Sequence, residues 1–98
     1  MSKHYVKEFN ADSGELSLNL AGENHWRRFP SRNIVSIHNT LGKKKVLFVE
    51  RPVERIEIMV SGEPNAFIIE KGAIKDDFSW IQTVLKRFAD KNKIEYKE

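Results

Sequence analysis

Three sets of residues in this chain have types that could do chemistry. They are the histidines at 4, 25 and 38, the adjacent carboxylates Asp76 and Asp77, and a group of cations comprising Arg28, Arg32, Lys43, Lys44 and Lys45. The histidines share neither H-x-H nor H-x-x-x-H spacing, and the chain has no cysteine, so the donor sets that usually hold a metal are missing. The absence of cysteine also removes thiol nucleophiles and disulfides, which fits a reducing cytoplasm. There is no G-x-S-x-G elbow, no phosphate-binding P-loop and no G-x-G-x-x-G turn. Asp76 and Asp77 directly precede a helical apolar period, where a carboxylate satisfies the free amides of a helix start. They read as a cap rather than an acid–base pair. No nucleophile is placed beside a base, so neither catalysis nor a cofactor nor a bound metal is expected.

The cations suit recognition instead. The first 30 residues carry four basic and four acidic groups and residues 61 to 98 carry seven of each, whereas residues 31 to 60 carry six against three. The whole net charge of +3 therefore lies in the middle third. This is a local patch, weaker than the footprint of a dedicated nucleic-acid binder. In "HWRRF" (25 to 29), alternation along a strand sends Trp26 and Arg28 to one face and His25, Arg27 and Phe29 to the other. Trp26 reads as a core residue, and only one of the two arginines can join Arg32 and the lysine run. Lys43, Lys44 and Lys45 follow Gly42 in "LGKKK", which reads as a hairpin turn.

The elements that must position these residues are mostly strands. Glycines at 14, 22, 42, 62 and 72 sit in turn-like contexts such as "DSGE" and "SGEPN", and short strand-like segments lie between them. In "ELSLNL" and "ERIEIMV" apolar residues alternate with polar ones, the mark of a sheet with one buried face. Further strands are expected at 4–9, 25–29, 33–39, 44–50 and 66–71. The pattern then shifts to a helical period in "DDFSWIQTVLKRFADKNK", with Phe78, Ile81, Val84, Leu85 and Phe88 on one side. The expected fold class is α+β: about seven short antiparallel strands forming a sandwich or partly open barrel, capped by one C-terminal amphipathic helix. A chain of 98 residues accommodates one such domain, spanning 1–98. No apolar run approaches the roughly 20 residues that a membrane span requires, and the N-terminus lacks the apolar stretch of a leader, so neither membrane insertion nor export is expected.

Within this order, "FSWIQTVLKRF" resembles the W-I-x-x-x-L run in the C-terminal helix of pleckstrin-homology-like domains, with Trp80, Ile81 and Leu85 at the matching positions. "FPSRNIVSIH" is similar to the P-x-x-x-I-x-x-I strand entry of bacterial members, here Pro30, Ile34 and Ile37. The resemblance implies a small bacterial or phage-borne scaffold that binds proteins through its surface or a sheet edge. Lipid-binding members carry a basic run at the first hairpin loop. In this chain that loop is "NADSGEL", with Asp12 and Glu15, so phosphoinositide recognition is not implied.

The function expected is a non-enzymatic, cytoplasmic protein-interaction module, an adaptor or scaffold. Its electrostatic contact would be Arg28, Arg32, Lys43, Lys44 and Lys45, and its apolar contact a sheet edge or helix side. Self-association through an open edge is compatible with this reading. One alternative is a small nucleic-acid-binding domain on an oligonucleotide-binding or SH3-like barrel, and another is a phage or mobile-element inhibitor that occludes a host protein.

Overall fold

A computed structural model describes residues 4–98. The chain forms β1 (His4–Ala11), β2 (Glu15–Leu20), β3 (Trp26–Pro30), a 3-10 turn at Ser31–Asn33, β4 (Ile34–Val46), β5 (Val49–Val60), β6 (Phe67–Glu70), α1 (Phe78–Asn92) and β7 (Glu95–Lys97). The strands make one open sheet in the order β3-β2-β1-β6-β5-β4-β7. Two three-stranded meanders, β1 to β3 and β4 to β6, thus join where β1 meets β6. An irregularity between Val6 and Glu8 bends β1 at this junction. The sheet curls around its core, because Phe29 on β3 and Phe67 on β6 lie three strands apart yet their rings are 5.2 Å apart.

The alternating leucines of β2 and isoleucines of β5 meet in that core. Leu16, Leu18, Leu20, Ile37, Ile56, Ile58, Phe67 and Ile69 are all buried there, covered by Phe78, Ile81, Leu85, Phe88 and Ala89 of α1. Asp77 caps the helix, accepting a hydrogen bond from the Trp80 amide at 3.1 Å. Of the expected stripe, Val84 is only half-buried. Trp80 is largely exposed and flanks the core, its ring 5.9 Å from that of Phe9. At the far end Lys93 adopts the left-handed conformation, and the Ile94 amide donates back to the Ala89 carbonyl, a Schellman-type stop.

Five features depart from the sequence-based expectation. The sheet is mixed, since β1 pairs in parallel with β6 and β4 with β7. Alternation reports which face a side chain takes, not which strand lies beside it. Here α1 returns the chain along the sheet, so that the following strand runs parallel to β4. No periodicity in the sequence marks that strand, β7. The turn expected at Gly42 is absent, because Gly42 pairs with Val53 inside β4. The strand expected at 44–50 is instead the tip of a long β4–β5 hairpin turning at Leu47 and Phe48. Trp26, expected in the core, lies on the outer face of β3 and is 43% exposed. Its alternation with Arg27 was read correctly, but the core side is the one carrying Phe29.

Candidate functional site

The distal half of the β4–β5 hairpin is a two-stranded arm. Near its base β4 pairs with β7 through Ser36–His38, and β5 pairs with β6 through Arg55–Ile58. Beyond those rungs the two strands pair with each other as far as Val46 and Val49, and every residue from Lys43 to Pro52 is exposed. Isolated two-stranded ribbons are marginal in water, so the root matters. Asn39 on β4 donates to the Tyr96 hydroxyl of β7 at 2.9 Å and accepts from Gln82 of α1 at 3.1 Å. On the other strand Glu54 is bridged to Lys71, both through its carboxylate at 3.0 Å and through its backbone carbonyl at 3.0 Å.

Cross-strand pairing assigns the side chains of the arm to faces. Val46 and Val49, Lys44 and Arg51, and Gly42 and Val53 share one face. Lys45 and Glu50, Lys43 and Pro52, and Leu41 and Glu54 share the other, which continues toward the buried Ile37 and Ile58. The cations therefore surround the ribbon rather than lining one side. Lys44 directly opposite Arg51 is an unfavourable like-charge pair. Among the described residues, neither they nor Lys43 and Lys45 have a salt-bridge partner within the chain.

The tip is apolar. Phe48 is 93% exposed and Leu47 86%, and the flanking Val46 and Val49 are also exposed. Both turn residues have positive φ, 49° at Leu47 and 68° at Phe48. A two-residue hairpin whose central residues both have positive φ matches the twist of its strands and normally takes Asn-Gly. For bulky L-residues this region costs roughly 1–2 kcal/mol each. Two of the least suitable residues for the turn are thus the most exposed large apolar side chains in the described chain.

The residues selected from the sequence do not form one patch. Arg32 lies in the 3-10 turn at the start of β4, and the lysine run lies near its far end. Ile34 and Lys43 are nine steps apart along the extended strand, about 30 Å at 3.3 Å per residue. Lys43, Lys44 and Lys45 do come together with one another, and with Arg51, which the sequence reading left out. Arg28 stands apart on β3, in a row with Asn10 and Ser17. Those three residues and Trp26 line a shallow hollow of about 180 Å³. The side-chain oxygen of Asn19, on the same face but outside the hollow's lining, is buried without a hydrogen-bond partner. Arg27 is held by Glu23 through two hydrogen bonds of 2.8 and 3.2 Å. That hydrogen bonding holds the Glu23 carboxyl below the usual range against a smaller opposing effect of desolvation, and the charges of Arg27, His25 and His4 add to the lowering. A larger cleft of about 640 Å³ opens between the β1–β2 loop and α1, lined by Asp12, Arg87, Phe88, Asp90 and Lys91 among others. Its charges are mixed and converge on no single group.

Gly42, in a turn-like context, masks the arm's tip in the sequence. The signal that marks it is a near-mirror order about the Leu47–Phe48 bond, in which Val46 faces Val49 and Lys44 faces Arg51. Among the described residues no group of three or more histidine, aspartate or glutamate side chains gathers as metal ligands would, and no helix is long and apolar enough to cross a membrane. Comparison with protein-family models, with curated proteins and with solved structures found no match to this chain.

Proposed function

We propose that the chain is a non-enzymatic recognition module, an adaptor or scaffold of pleckstrin-homology-like architecture, that engages a partner through the β4–β5 arm. The observation that carries this reading is the arm's tip, where Leu47 and Phe48 are held out in water by a strained turn and ringed by cations that have no salt-bridge partner among the described residues. Backbone strain and exposed apolar surface together mark places where a protein meets something else. The curled sheet closed by a helix supports the family likeness, while the parallel β7 and the mixed sheet depart from it. An expected protein partner fits the apolar anchor, since aromatic side chains seated in pockets dominate such interfaces. The alternative of nucleic-acid binding draws on the ribbon shape, which a major groove can admit.

Photocrosslinking in the native host tests the reading for any class of partner. Phe48 is replaced by benzoyl-phenylalanine, and Asp90 on the exposed side of α1 is replaced as the control. Adducts, whether to protein, lipid or nucleic acid, are expected at position 48 in excess over position 90. Equal yields at the two positions refute recognition through the arm.

A further inference from the structure

The arm's own chemistry narrows its partner. The segment Lys43–Pro52 contains four basic residues and one acidic residue, and the remainder of the chain balances at 13 basic and 13 acidic. The arm therefore carries the entire net charge of +3. Two such arms repel each other, which disfavours a second copy of this chain as the occupant. An anionic occupant relieves the Lys44–Arg51 repulsion, and it must also accept four contiguous apolar side chains. A nucleic acid offers phosphates, but it takes up apolar groups only by opening its base stack. A bilayer with acidic lipids offers both phases in the order in which the arm presents them, hydrocarbon ahead and anionic headgroups behind.

Building on recognition through the arm, we propose that the arm docks end-on on an anionic lipid surface. Val46, Leu47, Phe48 and Val49 enter the headgroup region, and Lys43, Lys44, Lys45 and Arg51 contact lipid phosphates and carboxylates. The dimensions agree: the turn and its first flanking pair extend about 7 Å at 3.3 Å per residue, within the roughly 5–10 Å to which interfacial segments sink. The cations lie on both faces of the ribbon, so they form a collar, the arrangement a flat surface approached end-on can satisfy from every side. No membrane span is needed, and among the described residues no helix supplies one.

The test is co-sedimentation of the full chain with vesicles of pure phosphatidylcholine and of equal parts phosphatidylcholine and phosphatidylserine. Binding is expected only to the second kind and is expected to weaken with salt. Each lost cation is worth about fivefold in affinity, so Lys44→Glu with Arg51→Glu should reduce binding at least 25-fold. Leu47→Asn with Phe48→Gly removes the apolar tip while giving the turn its preferred residues, so this variant keeps its fold and should lose at least tenfold. Absence of binding to the acidic vesicles overturns the proposal, as does binding that this double variant leaves unchanged. Tighter arm-dependent binding to a DNA duplex than to the acidic vesicles also overturns it. Protein adducts at position 48 without vesicle binding overturn the lipid inference but leave recognition through the arm standing. Absence of vesicle binding together with equal adduct yields at positions 48 and 90 overturns the two together.

Discussion

Gly42 governs the root of the arm. A Cβ at this position would run into the guanidinium of Arg55, which is fixed because its Nε and a terminal nitrogen both reach one carboxylate oxygen of the buried Glu70 at 2.9 Å. Gly42→Ala should therefore displace a nearly buried ion pair and cost about 1–3 kcal/mol, the usual range for disturbing a buried hydrogen-bonded group, measured by denaturant midpoint. With Arg55→Ala and Glu70→Gln already present, the same change should turn neutral or stabilising by about 0.5 kcal/mol, since glycine is otherwise a cost inside a strand. A second residue-level prediction concerns pH. The hydrogen bond from Arg27 is the main reason that the Glu23 carboxyl titrates below its usual range. Its folded value is thus lower than the unfolded value of about 4.3, so the pair's stabilisation is fully present above that pH and disappears as pH falls through the lowered value. Arg27→Met should return Glu23 to the ordinary range in a carbon-13 titration of its carboxyl, and an unchanged titration would contradict the assigned cause. Alternation placed Trp26 and Arg28 together from the sequence alone. It could not say which face was the core, because that depends on β6, whose Phe67 meets Phe29 on the opposite side.

At the level of elements, the hairpin turn sets the arm's stability against its exposure. Leu47→Asn with Phe48→Gly relieves two left-handed conformations that bulky residues occupy at a cost. Amide exchange across β4 and β5 beyond the root should slow by about tenfold, the factor corresponding to roughly 1.4 kcal/mol of local stability. Faster or unchanged exchange would show that the native turn is not strained. Elements whose signal is local were readable in the sequence: β2 and the inner half of β5 by alternation, and α1 by its 3.6-residue period and Asp77 cap. Elements defined by distant partners were not. β7 is three residues long and exists because α1 returns the chain beside β4. The arm was cut in two because glycine inside a strand and glycine in a turn look alike, and only the Arg55 side chain lying over Gly42 distinguishes them.

For the whole molecule, charge and core occupy different ends. None of the buried core residues comes from positions 41 to 54, while the arm within that range holds the full +3. Folding and recognition should therefore be separable by one deletion. Removing Lys43–Pro52 and joining Gly42 to Val53 through Asn-Gly shortens each strand by four residues. An even number keeps every remaining side chain on its face and the pairing in register. The Asn39–Tyr96 and Arg55–Glu70 contacts at the root are retained. The shortened chain should be electrically neutral and its thermal midpoint should move by less than about 4 °C, the smallest shift expected from 1 kcal/mol in a domain of this size. It should also lose the position-specific interactions assigned to the arm. A collapse of the midpoint would mean that the fold needs the arm, and the length and charge of the hairpin would then serve stability. A stable neutral core would instead show that folding does not need the hairpin's projecting strands, its costly turn or its concentrated charge, which leaves contact with something outside the chain as the role proposed for them.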